Sequence, residues 1–218
     1  MSLDAILKVG GSLSRGSDLP ALCREIGRLG ERHRLIAVPG GGPFADQVRE
    51  VYRQYHLNET AAHCMALLAM DQFGYLLNQL IPGSSLEADL ESAMRTAEAG
   101  RVAILLPASL IIRTDPVPNS WDVTSDSIAA WTASQMHCQK LILLKDVDGL
   151  WSAGNPSELI AEMNVGELAK HVGGVDRHLA NILSAGSLEA WIINGLKPER
   201  LGELLDASQT IGTKIAAA

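Results

Sequence analysis

No dense run of lysine and arginine occurs in the 218-residue sequence, and 18 basic residues against 25 acidic ones leave a formal charge of −7. Such a chain offers no positive field to a nucleic-acid backbone or an anionic membrane surface, which leaves small molecules or copies of the same chain as partners. Cysteine is scarce as well: Cys23, Cys64 and Cys138 are odd in number and far apart. That pattern suits reduced thiols in the cytoplasm better than a disulfide framework. The N-terminus, "MSLDAILKVGG", has neither the charged start nor the long apolar core of a secretory signal, and no apolar stretch approaches the length that spans a bilayer. Repeats and low-complexity segments are lacking, and the histidines and cysteines have no spacing that suits a metal ion.

What is present is an alternation. Apolar runs at Ala5–Val9, Leu35–Val38, Val102–Leu106, Leu141–Leu144 and Ala190–Ile193 read as buried strands between helical patterns. This predicts an α/β fold with a mainly parallel sheet, as one domain over residues 1–218. Leu22, Ile26 and Leu29 mark a first helix, and Asn58 is placed to cap a long one. A third helix is expected over about Leu86 to Ala99, and a fourth near Thr124 after the proline-marked loop "DPVPNSWD". The tail predicts a short helix from Pro198 and a closing strand around Thr210–Ile215.

Two strands run into glycine turns. "LIAVPGGGPFADQV" places Gly40, Gly41 and Gly42 at a strand-to-helix junction, and "ILKVGGSL" places Gly10, Gly11 and Ser12 at another, with Lys8 just ahead. Glycines at a helix start let an anion approach backbone N–H groups with no Cβ in the way. Gly40, Gly42 and Ala45 satisfy the spacing of a dinucleotide fingerprint, but two consecutive helical patterns follow where that unit needs a second strand. Walker and serine-hydrolase motifs are absent. On adjacent parallel strands both turns would meet at one sheet edge, with Lys8 between them, which suits phosphoryl transfer. "WDVTSDSIAA" adds Asp122, Thr124, Ser125 and Asp126 around a helix start, and "LILLKDVDGLW" adds Lys145, Asp146, Asp148 and Gly149 after a buried strand. An aspartate from the first cluster would hold the Lys8 ammonium, and the second cluster offers polar groups for a ribose or base.

In order, the blocks "KVGGS", "PGGG", "DVTSD", "KDVDGLW", "INGLKPERL" and "GTKI" resemble those of the amino acid kinase superfamily across the whole chain. The resemblance implies a three-layer α/β/α sandwich of the carbamate kinase type, and a kinase using ATP with Mg²⁺ carried mainly on the nucleotide phosphates. It implies that Lys8, Gly10, Gly11 and Ser12 hold the transferring phosphoryl group and that Asp126 organises the lysine. By the same resemblance, Lys145, Asp146, Asp148 and Gly149 touch the nucleotide, and Gly40, Gly41 and Gly42 face the acceptor. "VPGGGPFADQVR" and "AAHCMALLAMDQFG" are similar to the small aspartokinase-related kinases of methanogens and methylotrophs. That similarity implies a phosphorylated aminomethylfuran alcohol as acceptor, with Arg49, His63, Asp122, Thr124 and Ser125 near it, and a homo-oligomer. Amino-acid acceptors, or a non-catalytic nucleotide- or oxyanion-binding role, are the alternatives. One block departs from the superfamily: where many members carry a second lysine after "GGM", this chain reads "GGVDRHL", with His178 at that place. Arg177, His178, Lys145 and Lys214 are the candidates to replace it.

Overall fold

The computed structural model describes residues 2–152 and 154–216. The chain opens with β1 (Ala5–Val9), a 3-10 turn (Gly11–Arg15), α1 (Leu19–Gly30), β2 (Leu35–Pro39), α2 (Gly42–Tyr55) and α3 (Glu59–Leu80). There follow β3 (Ser85–Glu87), α4 (Leu90–Glu98), β4 (Ala103–Leu105), α5 (Pro107–Thr114), α6 (Ser125–Gln135) and β5 (Lys140–Lys145). The remainder is β6 (Trp151–Ser152), β7 (Asn155–Leu159), β8 (Glu162–Asn164), α7 (Val165–Leu168), α8 (Leu179–Leu183), β9 (Glu189–Asn194), α9 (Glu199–Ala207) and β10 (Gly212–Ala216).

Eight strands form one sheet in the order β3-β4-β2-β1-β5-β9-β10-β8, and β6 pairs with β7 separately. Within the large sheet every pairing is parallel except β9 with β10. The central strands are apolar on both faces because helices cover both. Ile6, Ile36, Leu141 and Leu143 pack under α6 with Ile128 and Ala129, whereas Leu7, Val9, Ile142 and Leu144 pack against α1 and α9 through Leu22, Ile26 and Leu201. The α/β/α layering expected from sequence is therefore present, and among the described residues no helix is long and apolar enough to cross a membrane.

Several boundaries differ from the sequence reading. The third helix begins at Leu90, because Ser85–Glu87 forms a short strand and Asp89 caps the helix by accepting from the Ser92 N–H at 2.8 Å. The strand expected over Val102–Leu106 is only Ala103–Leu105, since Pro107 opens α5 directly after it. The closing strand starts two residues later than expected, at Gly212. Asn58 does cap the long helix, accepting from Ala61 N at 2.8 Å.

Candidate functional site

Alternation along the strands decides which polar side chains meet. Successive side chains point to opposite faces of a sheet, so Lys8 shares the α6 face with Ile6, and Lys145 shares it with Leu141 and Leu143. Lys8 lies opposite Leu143 in the parallel pairing of β1 and β5, so Lys145 sits two positions further on along the adjacent strand. Above them starts α6, capped by Thr124, whose hydroxyl accepts from Asp126 N at 3.3 Å. Asp126 itself points down from the first turn. Its Oδ1 lies 2.9 Å from Lys8 Nζ, and its Oδ2 accepts from Lys145 Nζ at 2.7 Å.

This triad is dry: the side chains of Lys8, Asp126 and Lys145 are 7%, 3% and 15% exposed. Burial alone would raise the Asp126 carboxyl, but the ammonium groups of Lys8 and Lys145 outweigh it and hold its pKa at about 2. Burial pushes the Lys8 pKa below the ordinary lysine value, with Asp126 opposing the shift. Asp126 is thus a fixed anion that holds the Lys8 and Lys145 side chains in place.

The two glycine turns meet beside the triad, as the parallel order of β2, β1 and β5 requires. Their fit is backbone to backbone: a Cβ on Gly11 would lie 2.2 Å from Gly42 N, and one on Gly40 would lie 2.6 Å from Gly11 N. This corrects the expectation for Gly10 and Gly40. Their N–H groups donate to Leu144 O at 2.9 Å and to Val9 O at 2.8 Å, so these glycines are required by contact between strands and turns. Gly11, Gly41, Gly42 and Ser12 do line the cavity. The N–H groups of Gly41 and Gly42 lie at the start of α2, where no helical carbonyl precedes them.

The cavity has three connected parts. A polar chamber contains Lys8, Ser12, Arg15, Asp46, Asp126 and Lys145. Gly41, Ala45, Arg49, Thr124 and Ser125 also border an apolar chamber walled by His63, Leu67, Met70, Trp121 and Ile128. Asp46 holds two cations at the polar mouth, Arg15 and Arg49, each at 2.9 Å. The Arg49 guanidinium lies 5.2 Å from the Trp121 ring centroid, a cation–π contact that orients it between the chambers. His63 Nε2 is buried with no hydrogen-bond partner among the described residues, and burial lowers the imidazole pKa, leaving the ring neutral at pH 7. On the other side of the triad, Thr124, Asp126 and Lys145 border a third space with Asp122 and the loop of residues 172–177.

Sequence reasoning missed the group that fixes this loop. Asp176 accepts from Thr124 N, Thr124 Oγ1 and Ser127 N at 2.9 Å each, and from Ser127 Oγ at 2.5 Å. It also accepts from the N–H groups of His178 and Leu179 at 3.1 and 2.9 Å. One carboxylate thereby ties the start of α8 to the start of α6. Arg15, Asp46 and Trp121 were missed too. For Arg15 and Asp46 a signal existed, since each follows a glycine turn within one helical turn or so.

Part of the "KDVDG" block has another use. Asp148 accepts from Asn194 Nδ2 at 2.9 Å and from the buried Arg200 Nη1 at 2.5 Å, which fastens the loop to β9 and α9. A Cβ on Gly149 would lie 2.5 Å from Thr213 Oγ1. Neither these two residues nor Asp146 borders the three chambers. Lys145 is the one member of that block at the triad.

The family model described as the amino acid kinase family matches residues 5–203. Among curated proteins, the [5-(aminomethyl)furan-3-yl]methyl phosphate kinase of Methanocaldococcus jannaschii is 28% identical over 214 residues, covering 96% of each chain. The glutamate 5-kinase of Prochlorococcus marinus is 30% identical over 253 residues, covering 95% of this chain and 68% of that one. Among solved structures, uridylate kinase from Archaeoglobus fulgidus superposes with a TM-score of 0.78 at 22% identity, covering 97% of this chain and 99% of that one.

Proposed function

Because the chain belongs to the amino acid kinase family and is a phosphotransferase, we propose that it moves the γ-phosphoryl group of ATP onto a small acceptor that already carries a phosphate. The observation that carries this reading is that, among the described residues, no carboxylate in the polar chamber is free to act as a base. Its two carboxylates, Asp46 and Asp126, are each held between two cations. A carboxylate with a pKa of about 2 is a poor proton acceptor for an alcohol, so the nucleophile arrives ionised. A phosphate monoester meets that condition. Its charge would lie at the Gly41 and Gly42 amides with Arg49 and Arg15 in reach, and its organic part would fill the apolar chamber beside His63 and Trp121.

The relative from Methanocaldococcus jannaschii supports an aminomethylfuran-methyl phosphate as the acceptor. A furan ring suits a chamber walled by Leu67, Met70 and Trp121. ATP enters from the side of residues 172–177, with Asp122, Thr124 and Ser125 between the two substrates. Mg²⁺ would arrive with ATP, carried on the nucleotide phosphates. The chain works as a single domain in the cytoplasm, and Leu68, Tyr75 and Ile112, exposed on α3 and α5, favour a homo-oligomer.

Incubation with ATP, Mg²⁺ and the furan phosphate should yield a diphosphate. Glutamate, aspartate and acetylglutamate should yield no acyl phosphate when trapped with hydroxylamine. An acyl phosphate formed at a comparable rate would replace the phosphate acceptor with a carboxylate, which is also ionised and would fit the same amides.

A further inference from the structure

We propose that Lys145 is the second cationic arm of phosphoryl transfer, taking the place of the lysine that is missing from "GGVDRHL". The proposal rests on the kinase reading above and concerns a different question, namely which group neutralises the phosphoryl charge together with Lys8.

Geometry separates the four candidates. Lys214 is on β10, where its Nζ pairs with Glu189 at 3.1 Å, and it borders none of the three chambers. His178 has its N–H on Asp176, and its ring Nδ1 is 3.3 Å from Asn181 Nδ2. Its ring faces a separate hollow with Pro118 and Asn181 that contains neither Lys8 nor Asp126. Arg177 borders the loop space and that same hollow, and among the described residues it makes no ion pair. Lys145 alone is held on the Asp126 carboxylate opposite Lys8.

Its position is also the useful one. Lys145 borders both the polar chamber and the loop space, so its ammonium faces the path between donor and acceptor. In the transfer, the bond from the γ-phosphorus to the β,γ-bridging oxygen breaks and its electron pair leaves with ADP. An electron pair of the acceptor's phosphate oxygen forms the new P–O bond. No proton moves, because that oxygen is already anionic. What the reaction needs is positive charge on both sides of the phosphoryl group as it is released. Lys8 and Lys145, held apart by one aspartate, supply two such charges. A lysine on a sheet strand is also positioned more rigidly than one on a loop, so the superfamily's loop lysine becomes dispensable here.

The test uses the purified full chain and three variants, Lys145→Met, Lys145→Arg and Arg177→Met. With ATP and the furan phosphate, Lys145→Met should lower kcat by about 10²- to 10³-fold while both KM values stay within about threefold. Lys145→Arg should recover roughly a tenth of the wild-type rate, and Arg177→Met should lose less than about tenfold. A second readout needs no acceptor: MgADP with aluminium fluoride, a mimic of the transferring group, should bind about 10²-fold more weakly to Lys145→Met, with MgADP alone little changed. Equal weakening of both complexes would make Lys145 an ordinary nucleotide contact and overturn the proposal. So would a larger rate loss in Arg177→Met than in Lys145→Met. If the wild type ignores the furan phosphate yet the fluoride complex is selectively lost in Lys145→Met, the acceptor assignment falls and the role of Lys145 stands.

Discussion

Asp126→Asn removes one charge and leaves two ammonium groups facing a neutral amide in a site from which water is largely excluded. The carboxyl is held at about 2 against an ordinary 3.8. A displacement of nearly two pH units, at 1.36 kcal/mol each, corresponds to roughly 2–3 kcal/mol of folded-state stabilisation of the anion. Breaking a buried pair by removing one partner typically costs about 3–5 kcal/mol, because the other charge is left without compensation. The variant should therefore lose about 3 kcal/mol, or roughly 6–12 °C in melting temperature for a chain of this size. Urea unfolding followed by tryptophan fluorescence would measure it.

The pH dependence carries a sign that a generic packing defect would not reproduce. The folded pKa of Asp126 is depressed, so its contribution is present above the unfolded value of 3.8 and is lost as pH falls towards about 2. Wild type and variant should converge over that acid range. The Lys8 pKa is also depressed by burial, so Lys8 favours the folded state more as pH rises from its folded pKa towards 10.5. In Asp126→Asn that alkaline gain should be larger, since the ammonium has lost its counterion, and the stability gap should narrow again. Removing the second charge as well, in Asp126→Asn with Lys145→Met, should recover about half of the loss. A variant that melts within a degree or two of wild type at pH 7, or a gap that does not change with pH, would refute the account of the triad.

Two further outcomes follow from the glycine turns and the apolar chamber. Gly11→Ala puts a Cβ 2.2 Å from Gly42 N and 2.4 Å from its Cα, and backbone cannot swing aside, so about 1–3 kcal/mol of stability should be lost in the same unfolding assay; a neutral result would mean that the turns are not in contact. His63→Leu removes a buried nitrogen without a partner, which ordinarily costs about 1–3 kcal/mol. It should raise the melting temperature by a few degrees while raising the acceptor KM at least about tenfold, and a variant less stable than wild type would show that His63 has a structural partner.

The central sheet was legible because its strands are short apolar runs covered on both faces, as at Ala5–Val9 and Leu35–Pro39. The edges were not. Ser85–Glu87 is half-buried and three residues long, so it carries no run or alternation to detect. In "AILLPASLII" a strand passes into α5 with no polar residue until Ser109, and only Pro107 marks the change. The bonds of Asp176 to His178 and Leu179 are local, but the groups it binds on α6 are about 50 residues away and the register between them is set by tertiary packing.

Lys145 differs from these, because the information that places it is present in the sequence, in the alternation of its strand. "KDVDG" resembles one nucleotide loop, and as a loop its residues share a task. As the end of a strand they do not. Leu141, Leu143 and Lys145 fall on one face by the period of two, the same face that Ile6 and Lys8 occupy on the neighbouring strand. Two lysines ending adjacent apolar strands on one face would repel each other unless an anion came between them, and the first turn of the covering helix is where an aspartate is favoured. The alternation, followed one residue beyond Leu144, thus leads to the Lys8–Asp126–Lys145 arrangement. Past the strand end that period no longer applies, so it does not foretell that Asp148 accepts from Asn194 and Arg200.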